Sequence, residues 1–157
     1  MSADRTYIAR NDAERARLRA LVARLTDADL ARPMPAGWTV ASVLAHVAFW
    51  DQRILVLLDR WEQSPSAVPP VINEADVDWV NDATKPLLLA MPSRRAAELT
   101  VATAEAVDAR VAALPDDLLA RNAAAGSPLL MTRAVHRGEH LDEIEHVLGG
   151  STAARPH

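Results

Sequence analysis

Apolar residues recur along this chain at intervals of three and four, and strict alternation is missing, so the pattern predicts helices rather than strands. Leu18, Leu21, Val22 and Leu25 form one helix face and place a first helix over about 3–25. Thr26-Asp27-Ala28-Asp29 reads as a cap for one further turn, ended by Pro33, Pro35 and Gly37. Thr39 is the expected N-cap of a second helix running to Gln63, about 36 Å long at 1.5 Å per residue. Its apolar face is Val43, Val47, Trp50, Ile54, Leu57, Leu58 and Trp61. Prolines over 64–71 predict a loop, and 74–84 has helical character that Pro86 and Pro92 interrupt. Ser93 caps a third main helix to about Ala113, with Leu99, Ala102, Ala106, Ala109 and Ala113 predicted inward and Pro115-Asp116-Asp117 as its end. Ser127 as N-cap and Pro128 at the first helical position open a fourth helix, which Leu148 and Gly149-Gly150 close. Four amphipathic helices sharing one core predict an all-α four-helix bundle, with a longer irregular segment between its second and third helices.

Length adds a domain count: 157 residues predict one domain over 1–150 and a frayed tail over 151–157. Alanine makes up about a fifth of the chain, which reinforces the helical reading. Seventeen Lys+Arg against 21 Asp+Glu give a net charge of −4, which argues against a broad grip on nucleic acid or anionic lipid. The N-terminus lacks the apolar stretch of a secretory signal, no run matches a membrane span, and the expected compartment is the cytoplasm. The chain has no cysteine, so any thiol chemistry must use a small-molecule thiol, and any transition metal must be held by His and carboxylate. Lys85 is the only lysine and so the only candidate for a Schiff base.

The candidate chemistry lies in the histidines. His136 and His140 are four apart, a spacing that stacks two imidazoles on one helix face where they can chelate one ion. His46 borders the apolar face of the second helix, where a basic group is costly unless paired or metal-bound. Each histidine alone reads equally as a core residue bonded to a carbonyl; together, facing inward on helices able to pack, they suggest a shared site. Three imidazoles suit Zn²⁺, Ni²⁺, Fe²⁺ or Mn²⁺ and leave coordination positions open. Glu143 falls on the His136/His140 arc and reads either as an orienting group or proton acceptor, or as a solvated carboxylate. Arg53 reads either as the anchor of an anionic substrate group or as a bundle ion pair. Trp50 and Trp61 read as core, His146 as solvated on a different face, and His157 as part of the tail. There is no GxGxxG, P-loop or GxSxG, and Ser42 is poorly spaced to form a triad with His46.

Gly37-Trp38-Thr39-Val40 with Val43-Leu44-Ala45-His46-Val47-Ala48-Phe49-Trp50-Asp51 resembles the "GWSVKDVLAHLAxWD" segment of the DinB-like superfamily. His136-Arg137-Gly138-Glu139-His140-Leu141-Asp142-Glu143-Ile144 resembles its closing "HxxEHxxxI" segment, and Asp78-Trp79-Val80-Asn81 its "DxxN" segment. The likeness covers about residues 5–148, with the motifs in the same order. It implies a bundle of the up-down-down-up type, a divalent ion on His46, His136 and His140, and frequent homodimers. Related groups include S-transferases and maleylpyruvate isomerases that use mycothiol, bacillithiol or glutathione, and a hydrolase. The first expectation is therefore a metal-dependent enzyme that adds such a thiol to an electrophilic small molecule, with Glu143 and Arg53 at the chemistry. The alternatives are a hydrolase using metal-activated water, a non-catalytic metal- or ligand-binding stress-response bundle, and a structural bundle with empty histidines.

Overall fold

The computed structural model describes residues 2–152. Among these it contains seven α-helices and no strand: α1 (Tyr7–Arg24), α2 (Asp27–Leu30), α3 (Val40–Gln63), α4 (Glu74–Ala90), α5 (Ser93–Ala112), α6 (Asp116–Ala124) and α7 (Ala134–Thr152), with a 3₁₀ turn at Pro35–Gly37. The four long helices α1, α3, α5 and α7 touch in a closed ring, α3 against α5, α5 against α1, α1 against α7 and α7 against α3, while α4 is added along α3. Residues 153–157, with His157 and the end of the expected tail, lie outside the described residues.

Local chemistry explains the starts. Thr39 and Ser42 form a reciprocal capping box at α3, and Thr26 and Asp29 form another at α2. Between them the chain reverses through Ala36 and Gly37, both at positive φ (59° and 77°), where glycine is the residue that pays no steric cost. α3 is long and apolar enough to cross a membrane, but 67% of its apolar window is buried inside the protein, so here it is the central core helix.

Four boundaries differ from expectation. α4 continues through Pro86, because Pro86 and Asp82 lie on an exposed side where water can take the carbonyl that loses its helical donor. Pro115-Asp116-Asp117 ends α5 and also opens α6, whose first turn favours the two carboxylates. Ser127 does not cap the last helix; it sits at φ 55° and closes the end of α6 by donating its N–H to the Asn122 carbonyl at 2.8 Å. α7 begins at Ala134, whose N–H is taken at 2.9 Å by Asn11 Oδ1 of α1, while Asn11 Nδ2 donates to the Met131 carbonyl. At the other end α7 runs past Gly149 and Gly150 to Thr152.

The inward face of α5 is also corrected. Leu99 is only partly buried, and Ala102, Ala106, Ala109 and Ala113 are exposed. The buried face is Ala96, Ala97, Thr100, Thr103, Ala104, Val107, Asp108 and Val111. Its polar members are tolerated because each is bonded: the Thr100 hydroxyl is shared between the Ala96 and Leu44 carbonyls, both at 2.7 Å, Thr103 donates to the Leu99 carbonyl, and Asp108 meets arginines.

Two apolar clusters make up the core. One gathers Leu18, Leu21, Leu44, Ala97 and Ile144; the other gathers Tyr7, Ile54, Leu58, Trp61 and Val107. Along α3 the first ends at Ala45 and the second resumes at Ile54. His46 and Asp51 fall in that interval, which makes it a buried polar layer.

Candidate metal centre

His46 on α3 and His136 and His140 on α7 converge in this layer. His46 is 6% exposed, and the two α7 histidines are partly buried. His140 Nε2 lies 3.1 Å from His136 Nε2, which lies 3.3 Å from His46 Nε2. One ring nitrogen from each lies within 4.8 Å of the others. A tetrahedral ion with Zn–N bonds near 2.05 Å holds its ligands about 3.3 Å apart, so the two close separations match that span. The donor set fits as well. Glu143 Oε2 lies 3.0 Å from His140 Nδ1. An ionised carboxylate only accepts, so Nδ1 carries the proton and Nε2 turns its lone pair to the cluster. His46 Nδ1 is buried without a hydrogen-bond partner among the described residues.

The site keeps the His46 and His136 imidazoles neutral. Burial first, then repulsion from His140, pushes the His46 imidazole down to about 4. His136 is pushed down to about 2 by burial first and then by His140, His46, Arg133 and Arg137. Neutral imidazole is the form that binds metal. Unfolded histidines take up protons near pH 6.5, so metal-free folded protein binds fewer protons than unfolded protein below that pH. Its stability is complete above pH 6.5 and falls as the pH drops toward 4. Chelator-treated protein should therefore lose melting temperature steeply between pH 6.5 and 5; a flat thermal scan across that window would show the two rings charged in the folded state.

Two cavities meet at the cluster. The larger, about 690 Å³, is bounded by the Pro35–Gly37 turn, Trp38, α4 and the His140 side of α7. The smaller, about 210 Å³, lies between Trp50, Arg53, Val77, Leu130 and His136. His46 and Asn81 line both.

The family described as the mycothiol maleylpyruvate isomerase N-terminal domain matches residues 12–143. The chain belongs to this family. The match contains all three histidines and Glu143, and it establishes the DinB-like resemblance seen in the Gly37–Asp51 and His136–Ile144 segments. No curated protein and no solved structure matches the chain.

Within this mycothiol maleylpyruvate isomerase N-terminal domain, the remaining expected residues are placed as follows. Glu143 is 57% exposed at its side chain yet held against His140. Among the described residues Arg53 forms no bundle ion pair; it stacks over Trp50 with its Cζ 5.7 Å from the ring centroid, beside the smaller cavity. Trp50 is buried and donates its indole N–H to Asn81 Oδ1 at 3.0 Å. His146 is exposed and stays out of the histidine cluster, but it lines the larger cavity.

Sequence reasoning missed the support beneath the cluster. Arg137, 0% exposed, places NH1 and NH2 on Asp108 at 2.9 and 3.0 Å and NH2 on Asp51 at 3.2 Å. Arg133 Nε donates to Asp51 at 2.8 Å, and Arg15 NH1 to Asp108 at 2.8 Å. It also gave Trp38 no part in the site, although its ring meets His46 edge-on at 5.5 Å. Arg137 stands beside His136 in the sequence, but nothing in its neighbours reveals that its partners are on α3 and α5.

Proposed function

We propose that this protein is a divalent-metal-dependent transferase or isomerase that joins a low-molecular-weight thiol of the mycothiol or bacillithiol type to an electrophilic small molecule. The observation that carries this reading is a three-imidazole cluster, with two separations of metal-ligand span, at the meeting point of two cavities. The family's name, with mycothiol and an isomerase in it, supports the same chemistry, and a chain without cysteine suits a thiol supplied from outside. The closed ring of α1, α3, α5 and α7 supports a four-helix bundle, and a reduced, cytoplasmic compartment suits a free thiol.

A divalent ion held by His46, His136 and His140 would lower the pKa of a thiol or water at its open positions, making thiolate available near pH 7. The chain's own residues do the rest. Glu143 fixes the His140 tautomer. The Asp51–Arg137–Asp108 cluster holds α7 in place against α3 and α5. Arg53 and the cavity walls position the electrophile. The thiol proton leaves to solvent or to Glu143, the sulfur bonds to the electrophilic carbon, and the leaving group takes its electron pair.

The test is turnover of chlorodinitrobenzene, which releases chloride as the C–S bond forms, with mycothiol, bacillithiol and glutathione in parallel. Metal-loaded protein should give a thiol-dependent rate that falls to background after chelation and in His140→Ala. An equal rate with and without metal would sink the reading, and a metal-dependent rate of electrophile hydrolysis without thiol would replace it with metal-assisted hydrolysis. Glu143→Gln should weaken metal affinity about ten- to a hundredfold, as loss of an orienting partner typically does, read by competition with a metal indicator.

A further inference from the structure

The smaller cavity carries chemistry that the larger does not. Its walls are the apolar faces of Ile54, Ile72, Val77, Pro128 and Leu130, with the Trp50 ring among them. Two cations border it, and they are not equivalent. The charge of Arg133 is committed to Asp51 at 2.8 Å. Arg53 is partly buried, and among the described residues no carboxylate lies within ion-pair distance and no acceptor takes a hydrogen bond from it; its one contact is the Trp50 ring. Desolvation, and then repulsion from Arg133, holds its guanidinium below the usual arginine range. A cation in that state is stabilised by any anion that enters. The larger cavity, by contrast, sets Asp78, Asp82 and Glu143 against Lys85 alone, so its charges disfavour an anion and its lining suits a hydrophilic ligand.

We infer that the smaller cavity is the binding site of a small organic anion, a flat apolar body of about one ring with a single carboxylate that is held by Arg53. Size supports this: a cavity of about 150 Å³ holds benzene, so one of about 210 Å³ holds a ring or short unsaturated chain with a carboxylate added. The apolar body lies along Trp50, Ile54 and Val77, and its far end faces His46 and His136. That this anion is the electrophile, with the hydrophilic thiol entering from the larger cavity, rests on the thiol-transfer reading; that it binds does not.

The experiment is calorimetric titration of the full-length protein with benzoate and with its neutral isostere benzamide, before and after chelation. Wild-type protein should favour benzoate about tenfold, the scale of a charged hydrogen bond, in both states. The preference should vanish in Arg53→Gln, binding of both compounds should vanish in Val77→Trp, which fills the cavity, and neither should change in Lys85→Gln. Circular dichroism checks that each variant is folded. Equal affinity for benzoate and benzamide, a preference that survives Arg53→Gln, or one that disappears on chelation would overturn the assignment; the last would mean that the carboxylate reads a metal ion and not Arg53. Benzoate binding without chlorodinitrobenzene turnover would leave the anion site standing and remove the thiol-transfer reading.

Discussion

Replacing His136 and His140 together by alanine is expected to take the metal content of tag-free protein from about one divalent ion per chain to none. Those two rings supply two of the three converging nitrogens, with Nε2 atoms 3.1 Å apart on one helix. His46 alone cannot hold an ion tightly, and Glu143 loses the ring it orients. Elemental analysis of wild type beside the double variant reads the effect directly. A thermal scan reads it a second way: a ligand at a thousand times its Kd stabilises the folded state by about 4 kcal/mol, so added Zn²⁺ should raise the wild-type melting temperature and leave the variant unmoved. The variant itself should fold, because it removes two partly buried rings and leaves the buried arginine–aspartate pairs intact. It should also be less acid-sensitive than metal-free wild type, having lost the His136 imidazole that resists protonation in the fold. His140→Ala alone should abolish stoichiometric binding, and His146→Ala should change nothing, since that ring stands outside the cluster. Retention of one tight ion by the double variant would remove the three-histidine site. A wild-type protein that takes up no Zn²⁺, Ni²⁺, Fe²⁺ or Mn²⁺ would leave the family match as evidence of fold alone.

The sequence revealed this cluster because its signal is local. His136 and His140 share a helix face by spacing, and His46 betrays itself by sitting on an apolar face without a visible partner. What stayed hidden is held together by contacts remote in sequence. Asn11 caps α7 from 123 residues away, so neither Ser127 nor Pro128 marks its true start. The expected α5 face follows Leu99 and its alanines, whereas burial follows Thr100 and Asp108, whose partners lie elsewhere in the chain; the buried Thr100 is satisfied by carbonyls at 2.7 Å, and Ala102 and Ala106 simply suit an exposed helix. Pro115-Asp116-Asp117 was legible as a stop but serves equally well as a start. Asp51, Asp108, Arg133 and Arg137 escaped for the same reason as Asn11. A buried charge looks like a surface charge until its partner is known, and here the partners are 29 to 93 residues apart.

That hidden cluster carries the largest expected effect on stability. It pairs the buried Arg133 and Arg137 with the buried Asp51 and Asp108, and Arg15, which also meets the exposed Asp12 at 3.0 Å, joins it through Asp108. Asp108→Ala leaves two buried arginines against one buried carboxylate, with Arg137 on Asp51 alone, at 3.2 Å. Breaking a buried pair from one side costs about 3–5 kcal/mol, because the remaining charge is neither solvated nor matched. In a chain of this size that is a fall of about 6–20 °C in melting temperature. Arg137→Met should cost less, although it deletes the larger and more deeply buried side chain. Each buried aspartate keeps an arginine: Arg133 for Asp51 at 2.8 Å and Arg15 for Asp108 at 2.8 Å. The order of the two variants is the informative result. If Arg137→Met proved the more damaging, packing of the arginine stem would outweigh charge balance in this layer. The same cluster reaches the site, since Arg133 and Arg137 are among the groups that hold His136 neutral. Arg137→Met should therefore ease protonation of His136, and metal binding by that variant should begin to fail at a higher pH than in wild type. An unshifted pH profile of metal binding would confine the role of Arg137 to holding the helices together.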